Sequence, residues 1–369
     1  MTRWIAPTQV FDGSTLRDDV AVCVEDGIIT RIAAPPAGSQ HFDGILAPGF
    51  VDLQVNGGGG VMINSDPTPD AMRAVIAAHR TYGTTAILPT VITDHPDVLD
   101  AAAQAAIAVQ GETGLIGLHI EGPHIALARR GTHAADHIRP LDDRTLTCVR
   151  SLRDAGVTTL ITLAPEAATS AQIGALADMG AIVSLGHTDA TAQQIEAAID
   201  AGATLGTHLF NAMSPMTSRA PGAVGALINS KCALGIICDG HHVADDMIAL
   251  ALRARPVPDR MFLVSDAMAT VGGPDHFDLY GKTIRLSGGR LINSDGNLAG
   301  AHTTMTQGVA RLVQRVGLSL ETALHMAITT PASAIGHPDL SALIGRPIGD
   351  VIVMSSALDA TTPLTTHMD

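Results

Sequence analysis

Aromatic side chains are nearly missing from this 369-residue chain, where Phe, Trp and Tyr together make up 2%. The core must then be built from Ala, Val, Ile, Leu and Met, and aromatic stacking is a poor candidate for holding bases or sugar rings. Cysteine is scarce too. Cys23, Cys148, Cys232 and Cys238 lie far apart and form no Cys-x-x-Cys pair, so they read as buried small hydrophobes in a reducing, cytoplasmic setting. No apolar run reaches the roughly 18–20 residues that span a bilayer. The opening MTRWIAPTQVFDGST has no apolar stretch followed by a cleavage site, so no secretory signal is expected. Positive charge is in deficit: 22 Lys and Arg stand against 36 Asp and Glu, a net charge of −14. That balance disfavours nucleic acid and membrane surfaces as partners, and an anionic ligand would need a local basic patch.

What is present is an apolar, well-buried composition, 46% hydrophobic with a mean hydropathy of +0.27. The length suffices for one large core and a small second domain. Up to about residue 45, short alternating runs are broken by Asp-Gly and Pro-Pro, the pattern of hairpins in a small β unit. From Pro48 the rhythm changes to strand, loop and helix. Eight apolar runs, at 49–55, 84–90, 115–121, 158–164, 181–187, 204–210, 234–240 and 261–267, alternate with Ala-rich amphipathic stretches such as PDAMRAVIAAHRTYG and TAQQIEAAIDAG. Eight βα units predict a closed parallel barrel rather than an open sheet. After the eighth run, 282–300 reads as a β-hairpin insertion, and GRPIGDVIVMSSALDA returns to strand-like alternation that would rejoin the N-terminal unit. The predicted division is 1–47 and 339–369 for the small β domain and 48–338 for the barrel.

Five of these runs end in a polar side chain: Glu121, His187, His208, Asp239 and Asp266. In a parallel barrel the C-terminal strand ends share one mouth, which is where such residues meet. Glu121, His187 and His208 together would supply one carboxylate and two imidazoles, a three-ligand set that leaves a coordination position for water. Asp266 has two readings, a cap for the turn that follows it or a general base across the mouth from the ligands. His119, two residues before Glu121, reads as a packed, hydrogen-bonded interior side chain.

The runs GLHIEGPHIA, SLGHTDAT, GTHLFNAMSPM, GIICDGHHV, LVSDAMATVGG and LAGAHTTM, in this order from about Pro48 to Gly336, resemble the N-acetylglucosamine-6-phosphate deacetylases of the amidohydrolase superfamily. The resemblance implies a (β/α)8 TIM barrel, a small β-sandwich domain built from the N- and C-terminal segments, and a homodimer. It implies removal of acetate from an N-acetylamino sugar 6-phosphate. Matched residue by residue, Glu121, His187 and His208 resemble the family's metal ligands and Asp266 its catalytic acid–base. His133 is similar to a histidine that contacts substrate and helps to polarise the acetyl carbonyl. Asn211 and Ala212 resemble the pair on the sugar phosphate, Arg219 a phosphate-binding arginine supplied by the neighbouring subunit, and His242 a further substrate contact.

Where many amidohydrolases carry His-x-His on the first strand, this chain has Gln54-Val55-Asn56. Amides are poor ligands for a transition metal, so one divalent metal per chain is expected: zinc by default, with iron, cobalt or manganese also suited to the ligand set. Gln54 and Asn56 would either hydrogen-bond the water and its neighbours or satisfy strand-end backbone groups. The chain departs from the family at His124, where an apolar residue is usual, which puts either an extra polar contact or a stray ligand beside the mouth. It departs again at Ala220, where an acidic residue is common. The expected reaction is metal-dependent hydrolysis of N-acetylglucosamine 6-phosphate to glucosamine 6-phosphate and acetate. The alternatives are a galacto or manno epimer, or a non-catalytic phosphosugar-binding relative.

Overall fold

The computed structural model describes residues 2–293 and 296–368. Eight parallel strands form the centre in sequence order: Phe50–Val55, Thr84–Ile92, Gly117–Glu121, Thr158–Leu163, Ile182–Leu185, Leu205–Gly206, Ala233–Ile237 and Met261–Val264. Each pairs in parallel with the next. The first and last strands meet through a parallel bridge between Val55 and Ala267, and the Asp266 N–H donates to the Gln54 carbonyl at 3.0 Å. Strand and helix therefore alternate around a nearly closed TIM-like barrel.

The strands form because β-branched and Leu-rich runs are buried on both faces, by the barrel interior on one side and by helices on the other. Val51, Leu53, Leu88, Leu160, Phe262 and Val264 fill the inside, with Ala332 and Ile335 packed among them. The helices that follow begin at the expected signals. Thr68 caps Pro69–Arg80 by accepting from the Ala71 N–H, and Thr191 with Gln194 makes a capping box on Ala192–Asp200.

Four strands stop two or more residues earlier than their apolar runs suggest, 234–240 at Ile237 and 261–267 at Val264 among them. The predicted strands 181–187 and 204–210 leave the ladder after Leu185 and Gly206, and the backbone turns left-handed at His187 (φ 48°) and His208 (φ 29°). Such conformations are costly for residues with a Cβ and persist where surrounding contacts hold them. Here the turn swings both imidazoles over the barrel mouth.

The two ends of the chain share one seven-stranded mixed sheet. Its order is Thr361–Pro363, Val351–Met354, Gln40–Pro48, Thr2–Phe11, Ala21–Glu25 and Ile28–Ala33, with Leu16–Asp18 paired to Thr2–Phe11. Ile5, Val22, Val24, Leu46 and Val353 lie in its own buried cluster. The insertion after the eighth strand is larger than a hairpin: His276–Leu279, Lys282–Ser287, Arg290–Ile292 and Leu298–Ala301 make a four-stranded antiparallel sheet. Of the predicted hairpin, Ser294 and Asp295 lie outside the described residues. Among the described residues no helix is long and apolar enough to cross a membrane.

Candidate metal centre and active site

Above the apolar floor the barrel interior turns polar. His119 bonds the Leu53 carbonyl at 3.0 Å through Nδ1 and Thr162 at 2.7 Å through Nε2, and Thr162 and Ser184 each lie 2.6 Å from the Thr207 hydroxyl. Burial holds the His119 ring neutral, its pKa pushed down to about 4. His119 is a packed interior side chain. His124 is neither a ligand nor a mouth contact: its two nitrogens are taken by the Arg139 carbonyl at 3.1 Å and Thr145 Oγ1 at 2.9 Å.

Glu121 Oε1, His187 Nε2 and His208 Nε2 converge at the mouth. The three separations are 2.9 Å from Glu121 to His208, 3.2 Å from Glu121 to His187 and 3.1 Å between the two nitrogens. Four ligands at about 2.0–2.1 Å in a tetrahedron stand about 3.3–3.4 Å apart, so this triangle nearly has the edges of a divalent-metal site. His187 Nδ1 donates to the Arg129 carbonyl at 2.9 Å, which leaves the Nε2 lone pair of the neutral ring aimed inward. Donor atoms of Glu121, His133 and His187 also fall within 4.8 Å of one another. His133 and His208 thus both stand beside the Glu121–His187 pair, His208 with Nε2 2.9 Å from Glu121 Oε1 and 3.1 Å from His187 Nε2. The residues present fit one divalent cation.

The fields around these groups agree with that. Burial favours the protonated form of Glu121, but the neighbouring His187 and His208 outweigh it and hold the carboxyl well below its usual range. Burial depresses His208, yet Glu121 beside it leaves its pKa raised. One carboxylate and two imidazoles gathered in this way are donors that suit a divalent cation.

Asp266, next to the eighth strand, faces the same space. Its Oδ1 accepts from Asn56 Nδ2 at 2.7 Å and from Gln54 Nε2 at 3.1 Å, and the same Gln54 amide nitrogen donates to Glu121 Oε1 at 3.0 Å. Of the two readings for Gln54 and Asn56, the amides address carboxylates, not strand-end backbone. The aim of Gln54 has a structural cause. Pairing with the second strand slips between Asp52 and Val55, and such a bulge re-aims a side chain. Burial, and then the Glu121 charge, raise the Asp266 pKa to about 6. A carboxyl poised near neutrality, next to a cation site, can take and return a proton.

The mouth opens into a cavity of about 450 Å³. Its wall includes Asn56, His133, Asn211, Ala212, His242 and Asp266, together with the triad. His133 Nδ1 lies 2.7 Å from Thr93 Oγ1, and burial followed by the neighbouring rings holds it neutral, well below the usual histidine range. Arg219 is exposed on the loop after Ala212 and does not line the cavity of its own chain. Three contacts are not among those singled out from the sequence: the Arg129 carbonyl on His187, Thr93 on His133, and the pairing of Asp239 with His242. Thr93 follows the second strand directly, so the same strand-end rule that finds Glu121 would have found it.

A family model, the amidohydrolase family, matches residues 45–354. N-acetylgalactosamine-6-phosphate deacetylase of Shewanella sp. (strain ANA-3) is 43% identical over 348 residues, covering 90% of this chain and 86% of that one. The crystal structure of N-acetylglucosamine-6-phosphate deacetylase from Pasteurella multocida superposes with a TM-score of 0.90 at 33% identity, over 98% of both chains. A mutant of the Mycobacterium smegmatis N-acetyl-D-glucosamine-6-phosphate deacetylase, in complex with N-acetyl-D-glucosamine-6-phosphate, superposes at 0.89 with 31% identity, over 98% of this chain and 97% of that one. This chain belongs to the amidohydrolase family and, within it, to the amino-sugar 6-phosphate deacetylases.

Proposed function

We propose that the protein hydrolyses the acetamide of an N-acetylhexosamine 6-phosphate, giving the hexosamine 6-phosphate and acetate. The observation that carries this reading is the Glu121–His187–His208 triangle joined to Asp266 through the amide of Gln54. Glu121, His187 and His208 would hold one divalent cation, zinc by preference for a histidine–carboxylate set. When bound, that ion supplies Lewis acidity toward the acetyl carbonyl and lowers the pKa of water. Asp266 takes a proton from the attacking water as the C–O bond forms and returns it to the nitrogen as the C–N bond breaks. His133, held neutral, presents Nε2–H to the developing oxyanion if Thr93 donates to its Nδ1. Asn211, Ala212 and His242 line the side of the cavity that takes the sugar phosphate. Arg219, exposed and outside the lining of its own cavity, is assigned to the phosphate of a second copy in a homodimer.

Two epimers compete. The motif resemblance points to N-acetylglucosamine 6-phosphate, whereas 43% identity to a galactosamine enzyme, against 33% to the Pasteurella glucosamine enzyme, favours the galacto sugar. We place the galacto epimer first. Acetate release from the gluco, galacto and manno 6-phosphates, with the unphosphorylated sugars alongside and metal content read on the same sample, tests the reading. Turnover of a 6-phosphate with about one metal per chain supports it. Metal-loaded protein that releases acetate from none of them overturns it.

A further inference from the structure

Asp239 is the one strand-end polar residue that the proposed chemistry leaves unused. It lies just beyond the seventh strand, Ala233–Ile237, and its carboxylate is fully engaged. Oδ1 accepts the backbone N–H groups of His241 at 2.8 Å and His242 at 2.9 Å, and Oδ2 lies 2.6 Å from His242 Nδ1. The two side chains are 6% and 7% exposed. Burial alone would raise the Asp239 pKa, but these donors bring it down to about 2. An ionised carboxylate only accepts, so the hydrogen of that contact belongs to Nδ1.

The other face of the His242 ring lines the cavity, and its Nε2 has no protein partner among the described residues. The turn that carries the pair is clamped from behind. Gly240 sits at φ +79°, and a Cβ there would stand 2.3 Å from Arg311 Cζ. That guanidinium in turn grips Asp245 with two bonds of 2.7 and 2.8 Å. Only glycine lets Arg311 close on this turn.

We infer that Asp239 is a positioning residue for substrate recognition: it fixes the plane of His242 and keeps a hydrogen on Nδ1, so that Nε2 meets one substrate oxygen in a defined state. This rests on the phosphosugar reading above. A ring with its one hydrogen on Nδ1 accepts at Nε2 from a ring hydroxyl, whereas a ring that also carries a hydrogen on Nε2, with ionised Asp239 as its partner, donates to the 6-phosphate; the arms of the test separate the two.

Asp239→Asn is nearly isosteric and still accepts both backbone N–H groups, but it offers a donor where Oδ2 accepted. His242 must then accept at Nδ1 and carry its hydrogen on Nε2. Asp239→Asn, His242→Ala and the double variant are compared with wild type by steady-state acetate release, thermal melting and 15N NMR of the imidazoles. The expected result is a rise in KM of about 10- to 100-fold in Asp239→Asn, the loss usual for a carboxylate that orients an imidazole, with a much smaller change in kcat. No further loss is expected when the same change is made in the His242→Ala background. A rise confined to the phosphorylated sugar places the oxygen on the phosphate, and a rise on both sugars places it on a hydroxyl. An unchanged KM, or a penalty that persists in the His242→Ala background, overturns the inference. If wild type releases no acetate at all, the phosphosugar reading has failed. The NMR arm still decides this one, because a wild-type His242 without a hydrogen on Nδ1 overturns it independently of turnover.

Discussion

The amide of Gln54 donates to Glu121 and to Asp266 at once, so two buried carboxylates of opposite duty are held a side chain apart. One stays ionised among imidazoles, while the other is raised toward neutrality by burial and by the charge of the first. Asp266→Asn keeps the shape and removes the proton acceptor. Turnover should fall by about 10²–10⁴, the usual worth of a general acid–base, with metal content unchanged in elemental analysis. Near-wild-type kcat in that variant would remove Asp266 from the mechanism. Asp52 gives a second prediction at this scale. It is fully buried on the first strand, and burial pushes its pKa up to about 7 against the N–H donors of Gln54 and Ser265. A carboxyl raised in the folded state holds its proton longer than the unfolded chain does. Its contribution to stability is therefore whole below about pH 4, the unfolded value, and is lost as pH rises through about 7. The melting temperature of Asp52→Asn relative to wild type should climb between those limits and level off above them; a constant difference across that range would refute it. Glu121, His187, His208 and Asp266 were legible in the sequence because each is a polar residue that ends an apolar run. The Arg129 carbonyl was not, since any residue there carries the same backbone acceptor.

Among elements, the strands were easier to read than their ends. All eight barrel strands fall where apolar runs predict them, because burial on both faces leaves a continuous hydrophobic signature. The sixth shrinks to Leu205–Gly206, and nothing in Thr207-His208-Leu209-Phe210 announces the left-handed turns at His208 and Phe210. Those turns are held by tertiary contacts that local pattern does not encode. The helix after the fifth strand, Ala192–Asp200, is fixed more locally, by the Thr191–Gln194 capping box. Thr191→Ala should cost about 0.5–2 kcal/mol and lower the melting temperature by a few degrees. Because the cap touches the helix and not the ligands, metal affinity measured by competition with a chelating dye should hold; a matching loss of metal would tie the cap to His187.

For the molecule as a whole, the proposed metal would be coupled to the fold. Three side chains, one at the end of the third strand and two just beyond the fifth and sixth, meet within about 3 Å of one another, and a cation that binds only this arrangement would stabilise it by mass action. Removal of the ion with a chelator should abolish acetate release and lower the melting temperature, and both should return on adding back a divalent metal. Full activity in metal-free protein would overturn the assignment of the triad. The small terminal sheet was foreseen in outline from the alternation of its segments, but its strand order was not, since pairing between distant segments leaves no mark in either one.

That strand order also sets a timetable. The strand Gln40–Pro48 pairs on one side with Thr2–Phe11 and, through residues 45–48, on the other with Val351–Met354. The second partner is separated from them by about 300 residues, which a ribosome takes about 15–60 s to add at about 5–20 residues per second. For that interval the nascent protein carries an unpaired sheet edge beside a barrel still under construction. Such edges recruit other chains. The yield of folded enzyme should therefore depend on how crowded the site of synthesis is, as well as on how stable the finished molecule becomes.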